Sequence, residues 1–188
     1  MDPLSRRTAR LTLRPLAEGD RAEYLRMEAA SETHSRPWLP TPDATLTASE
    51  RFTRTLETSL REEKAGSGLR RIGVLDDGRI ATIVALSQIF RGPFLSCYAG
   101  WRASAECVGQ GLCTEAMRGL LDIAFAEPPE GLGLHRVQAN IIPANAASLR
   151  VAEKLGMRRE GYALRYLKID GRWQDHAMFA ILSDEFAR

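Results

Sequence analysis

The stretch "ECVGQGLCTEAMRG", Glu106 to Gly119, places two glycines one residue apart directly before a helical pattern. From Leu112 onward, Leu112, Ala116, Leu120 and Ala124 recur on one face, Cys113, Met117 and Leu121 flank them, and Glu115, Arg118 and Asp122 lie opposite. That is the apolar stripe of an amphipathic helix. Gly109 and Gly111 therefore stand at a helix N-terminus, where the first backbone N–H groups lack intrahelical partners and the dipole end is positive. Glycines let such a backbone approach a phosphate closely. They also suit a tight turn of positive φ that binds nothing, and the stretch alone leaves both readings open. Two common cradles do not fit: no Lys follows the glycines as a P-loop requires, and Gly-Gln-Gly-Leu-Cys-Thr is not the Gly-x-Gly-x-x-Gly that opens a dinucleotide fold.

On the N-terminal side of this helix, "ARLTLRPL" alternates as a first strand ended by Pro15, and "EGDRAEYLRMEAASE" reads as a helix. "RPWLPTPD" is an irregular proline-rich loop. In the next helix Phe52, Leu56 and Leu60 recur every four residues, with Glu57 and Arg61 expected to pair beside them. "LRRIGVL", "DDG" and "RIATIVALSQIF" form a hairpin, because Asp-Gly between β-branched runs is a strong turn signal, and "PFLSCYAGW" is a further strand. On the C-terminal side come the strand "LHRVQANII", a short helix in "PANAASLRVAEKLG" stopped by Gly156, and two strands around "IDG". The order is β-α-α-β-β-β-α-β-α-β-β. Hairpins imply antiparallel pairs and the later helices imply crossovers, so the expected class is α+β: a single mixed, mostly antiparallel sheet of about seven strands flanked by about four helices. With no repeat or linker, residues 1–188 are read as one domain.

The 26 basic and 24 acidic residues are interspersed, so charge points neither to nucleic acid nor to a membrane surface. The longest apolar run, Ile80 to Leu86, falls far short of the roughly 20 residues a membrane span needs. The N-terminal segment has no signal-peptide h-region, and three cysteines outside Cys-x-x-Cys spacing fit reduced thiols, so a cytoplasmic location is expected. Cys97, Cys107 and Cys113 are read as small core or turn residues, and a metal site built from Cys107, Cys113 and His135 matches no known finger, so no metal is expected. Asn145 follows Pro143 at a helix start, where its side chain is expected to cap the N–H of Ser148. Ser148 shares a face with Ala152 and Leu155 and should point inward, where a hydroxyl can simply back-bond to a carbonyl.

Glu106-Cys107-Val108-Gly109-Gln110-Gly111 resembles the Gln/Arg-x-x-Gly-x-Gly/Ala acyl-CoA cradle of the GCN5-related N-acetyltransferases, with Glu106 in the place of Gln or Arg. Downstream, "HRVQANIIPANAAS", "EKLGMRREG" and "YLKIDGRWQDH" resemble the RimJ/RimL type, closest to the ribosomal-protein-alanine subgroup. "LRPL" near the start and "PWLP" at Pro37 to Pro40 are similar too. The resemblance implies acetyl transfer from acetyl-CoA to a primary amine by direct attack on the thioester. The acceptor it implies is the N-terminal α-amine of a protein such as a ribosomal protein. It places Trp101, Gly109, Gln110, Gly111, Leu112, Cys113, Thr114, Asn140 and Asn145 along the coenzyme. It makes Ser148 the general acid that protonates the departing thiolate, and puts Trp38 and Asp175 on the acceptor side. If Glu106 points its carboxylate at the pyrophosphate, binding should weaken and Glu106→Gln should tighten it.

No base is evident. "PFLSCYAGW", which carries a Glu in many relatives, has no acid, and Leu167 stands where a RimL-like enzyme places its Glu. An α-amine of pKa about 8 costs only about 1.4 kcal/mol to neutralise at pH 7, against about 4.6 for a lysine, so a water chain could serve an N-terminus. Small amines, antibiotics, polyamines or free amino acids are alternative acceptors, a non-catalytic acyl-CoA sensor is the alternative from another class, and a homodimer stays open.

Overall fold

The computed structural model of the chain describes residues 2–186. Among them run β1 (Arg6–Arg7), β2 (Thr12–Arg14), α1 (Arg21–Ser35), α2 (Ala48–Lys64), β3 (Gly68–Val74), β4 (Ile80–Phe90) and β5 (Ser96–Ala103). Then follow α3 (Leu112–Phe125), β6 (Arg136–Ile141), α4 (Ala146–Lys154), β7 (Arg158–Ile169) and β8 (Arg172–Leu182). The strands form an 8-stranded sheet in the order β1-β2-β3-β4-β5-β6-β8-β7. Every described pairing is antiparallel except β5 with β6, which α3 joins as a crossover. The strand beyond the expected seven is β1, two charged residues at the sheet edge whose pairing with Thr12 and Leu13 leaves no hydrophobic period to read.

The pleat sorts the core. Leu13, Val84, Leu86, Cys97, Val137, Ala139, Phe179 and Ile181 face α3 and α4 and bury its Leu112, Met117, Leu120 and Leu121. The opposite parity, Ile72, Val74 and Ile83, packs against Tyr24, Met27 and Phe52 of α1 and α2. Burial of one such side chain stabilises by about 1.5–3 kcal/mol. These two helices cover β3 and β4. The face formed by Tyr98, Arg136, Gln138, Asn140 and His176 continues the same parity beyond their reach.

Local chemistry moved three boundaries. The first helix is split into a 3-10 turn, Glu18–Asp20, and α1, because the Asp20 carboxylate turns back to accept the Ala17 N–H at 2.9 Å and pairs with Arg14 at 2.6 Å. β5 starts at Ser96, after a turn, rather than at Pro93. The stripe of α2 leaves the core before its end: Phe52 is buried but Leu60 is 56% exposed, and Arg61 donates to Thr58 at 3.3 Å instead of pairing with Glu57. No helix of the described residues is long and apolar enough to cross a membrane.

Candidate active site

β5 and β6 pair only through Ser96↔Arg136, Cys97↔Val137 and Tyr98↔Gln138, although β5 runs on to Ala103 and β6 to Ile141. Past Tyr98 the two strands splay, leaving facing backbone edges without a strand partner. An extended ligand carrying amide groups can bond to both edges as a strand would, because exposed strand N–H and C=O groups are ready-made partners. The wedge opens into a cavity of about 600 Å³. Its walls are β5 from Ala99 to Ala103, β6 from Ala139 to Ile141, the glycine turn with the first turn of α3, and the start of α4. His34, Trp38 and Leu39 close one side.

Gly109 and Gly111 have φ of +75° and +77°, which only glycine adopts without strain. Gly111 is the N-cap of α3 and provides no side-chain cap, so the first N–H groups of the helix, including those of Leu112, Cys113 and Thr114, remain available to an anion. A Cβ at Gly109 would meet nothing within 4 Å, and one at Gly111 would meet only the Arg10 guanidinium at 3.8 Å. Arg10 reaches the turn from the other end of the chain: it donates to the Gln110 carbonyl at 3.0 Å and pairs with Glu115 at 2.7 Å. Behind the turn a second hollow of about 520 Å³ shares Gly111, Thr114 and Lys154 with the cavity and adds Arg6, Arg7, Arg10 and Arg118. The cations around the cradle thus come from three separate segments, with Glu115 and Asp122 among them in the hollow.

Trp101 Nε1 is buried and has no partner among the described residues. An orphaned buried donor costs about 1–3 kcal/mol, and this one is closed off from the open space of the cavity although its residue lines the wall. The residues present fit a ligand with an anionic end at the α3 terminus and an amide-bearing arm in the wedge.

Asn145 caps α4 as its sequence position implies, accepting the Ser148 N–H at 3.0 Å. Ser148 is half-buried in the cavity wall, and among the described residues its hydroxyl makes no back-bond. Trp38, Trp101, Gly109, Gly111, Leu112, Cys113, Thr114, Asn140, Asn145 and Ser148 all line the one cavity. Gln110 does not; its amide folds back onto the Glu106 carbonyl at 3.2 Å. Asp175 does not either. Its carboxylate accepts the Tyr162 hydroxyl at 3.1 Å and the Arg165 N–H at 2.8 Å, holding β7 to β8.

Glu106 does not meet the condition for repelling a pyrophosphate. Its carboxylate turns to α1 and pairs with Arg26 at 2.9 and 3.0 Å, and the Arg26 hydrogen bonds hold it below the usual carboxylate range. Arg26 simultaneously pairs with Glu23 at 2.7 Å. The charge at Glu106 is thus satisfied away from the cradle.

The other titratable groups fall into place around the wedge. Glu28 of α1 is tied to Arg102, which also donates to the Tyr24 hydroxyl at 3.2 Å. Burial pushes the thiols of Cys107 and Cys113 up and that of Cys97 up to about 12, so at neutral pH they are neutral thiols. No group of three or more His, Cys, Asp or Glu among the described residues is placed to hold a metal. On β6 the polar residues form a directed chain: Glu160 accepts from Arg136 at 3.0 Å, Arg136 donates to Gln138 at 3.1 Å, Gln138 to Asn140 at 2.9 Å and Asn140 to Tyr166 at 3.0 Å. The Tyr166 ring meets His176 edge-on at 5.3 Å. Sequence pattern missed Arg10 and Lys154, while for Asp175 and His176 it says only that one of the two can face the site. For His176 the usable signal was strand parity: Asp175 and His176 alternate, and it is the histidine that faces the cavity.

Comparison with known proteins agrees with this geometry. The family model "Acetyltransferase (GNAT) domain" matches residues 10–158. The "Probable N-acetyltransferase YjcK" of Bacillus subtilis is 40% identical over 109 residues, which span 58% of this chain and 58% of that protein. The ribosomal protein uS5-alanine N-acetyltransferase of Escherichia coli is 29% identical over 181 residues, 95% of this chain and 91% of that one. Mycobacterium smegmatis RimJ, solved in complex with CoA-disulfide, superimposes with a TM-score of 0.85 at 28% identity, covering 95% of this chain and 84% of that one. A family match over most of its length, on a sheet that splays beside a glycine-led helix, means that the chain belongs to the GNAT acetyltransferase family and is of its RimJ/RimL-like kind.

Proposed function

We propose that this protein transfers the acetyl group of acetyl-CoA to a primary amine, the N-terminal α-amine of a protein such as a ribosomal protein. The observation that carries this reading is the wedge between β5 and β6, with an uncapped α3 terminus at one end. The α3 terminus, with Arg10 and Lys154 near it, suits the coenzyme's pyrophosphate, and the unpaired backbone edges suit the amides of its pantetheine arm. A backbone N–H of β5 in the splayed segment is available to polarise the thioester carbonyl. Ser148, with its hydroxyl free of internal bonds, is the proton donor to the departing thiolate. Bound acetyl-CoA supplies the activated acetyl group; the chain orients it, excludes water around it and manages protons. The relative that acts on the alanine terminus of uS5 supports an N-terminal acceptor.

The test measures thiol release from acetyl-CoA with Ala- and Ser-initiated peptides and a panel of small amines. Peptide-stimulated release is expected. Ser148→Ala should lower kcat by about 10²-fold or more while coenzyme affinity moves little. Turnover with small amines but no peptide would sink the N-terminal acceptor. Tight acetyl-CoA binding without transfer to any amine would mean a sensor.

A further inference from the structure

On the reading that the chain transfers acetyl to an amine, we infer that His176 is the base that deprotonates the incoming ammonium. It is the interior imidazole of the cavity wall, 3% exposed, on a strand position to which no role has been assigned. Its tautomer follows from its partner: Nδ1 lies 3.1 Å from the Gln174 carbonyl, which can only accept, so Nδ1 carries the hydrogen and Nε2 holds the lone pair. Nε2 has no partner among the described residues, yet it is not among the buried atoms left unsatisfied, so it meets the open space of the cavity. Tyr166 packs edge-on against the ring and is itself held by Asn140, so the imidazole is fixed from two sides.

The alternatives in the same wall are spoken for. No carboxylate of the described residues lines it, Arg102, Arg150 and Lys154 are cations that cannot accept, and Cys107 and Cys113 are protonated by burial. His34 is the other imidazole of the wall, but it is solvent-exposed near the end of α1, at the mouth. Around His176 are the Tyr166 ring from β7 and the neutral Asn140 from β6, and the charged side chains that share the cavity wall with it are Arg102, Arg150 and Lys154.

The step balances without any further reagent. The ammonium gives one proton to Nε2, which passes it to the water at the mouth. The neutral amine then attacks the thioester carbon, the C–N bond forms, and the C–S bond breaks with its electron pair on sulfur. The second proton lost by nitrogen matches the one sulfur gains through Ser148. One proton is released overall per ammonium acetylated.

The test compares wild type with His176→Gln, which can keep a side-chain bond to the Gln174 carbonyl, using two acceptors: an Ala-initiated peptide and an arylamine that carries no proton at neutral pH. Wild-type turnover of the peptide checks the transfer reading separately. Given that turnover, kcat/KM for the peptide should fall by about 10²-fold in the variant and the acid limb of its pH profile should vanish. Arylamine turnover should fall less than about tenfold, and acetyl-CoA affinity should hold. Equal losses with both acceptors, or a surviving acid limb, overturns the assignment. If the variant does not fold, ¹⁵N-imidazole titration of the wild type decides: Nε2 must titrate at the midpoint of the kinetic limb while Nδ1 stays protonated, and separate midpoints overturn it.

Discussion

Glu106 shows how one pairing changes the meaning of a position. In the chain it stands where a cradle prefers an amide or a cation, so its carboxylate looked repulsive to a bound pyrophosphate. In space it belongs to Arg26, which bonds both of its oxygens. Glu106→Gln is therefore expected to change the coenzyme dissociation constant by no more than about twofold at physiological salt, since an exposed charge already paired is further screened over about 8 Å. Calorimetric titration with CoA checks this, and a tightening well beyond that range would restore the repulsive role. Gly109 and Gly111 were legible as a turn into a helix because their spacing and the stripe after them are local. Arg10 and Lys154 were not, because nothing local marks a cation that will sit beside a distant glycine turn.

Among the elements, α4 and α3 each carry a testable tie. Asn145 is the cap of α4, so Asn145→Ala should cost about 1 kcal/mol and lower the thermal midpoint by about 2–4 °C. Because Asn145 also lines the cavity, CoA affinity should weaken in the same variant beyond what stability explains. An unchanged midpoint would show that the cap contributes nothing. Glu115 anchors α3 to the β1–β2 turn. Burial raises its pKa, but the Thr8 hydroxyl at 2.6 Å, the Arg10 N–H at 2.7 Å and the Arg10 guanidinium outweigh burial and leave it below the ordinary 4.5. A carboxylate with a lowered folded pKa contributes stability that is present above 4.5 and is lost as pH falls through the lower folded value. Wild type should therefore lose its advantage over Glu115→Gln on acidification through that window in denaturant melts. A difference that stays constant with pH would refute the charged role. The caps and the hairpin turn were readable in advance because their donors and acceptors lie within a few residues. The Glu115 anchor was not, since it joins positions far apart in the chain.

Across the whole molecule, Arg71 ties the N-terminal segment to the sheet. Its side chain is 0% exposed, pairs with Glu63 at 2.7 Å and Asp2 at 3.1 Å, and donates to the Leu4 carbonyl at 3.1 Å. Removing the partners of a buried charge costs more than removing the charge, so the double variant Asp2→Ala/Glu63→Ala, which strips both carboxylates, should destabilise by about 3 kcal/mol and Arg71→Met by less, because the freed carboxylates can reach water. Denaturant midpoints order the two, and the reverse order would refute the burial argument. Nothing in "LRRIGVL" distinguishes Arg71 from its neighbour Arg70; strand parity, the acidic end of α2 and Asp2 put one of them in the core. The same division holds for the site. Period, turn residues and caps act over a few residues, so the order of elements, the α3 stripe, the Asn145 cap and the family likeness were written in the chain. The splay of β5 from β6, the choice of His176 over Asp175 and the capture of Glu106 by Arg26 depend on strand register and on groups that meet only after the sheet has closed. Those contacts join residues far apart in the chain, and they shape the cavity to which the chemistry is assigned here.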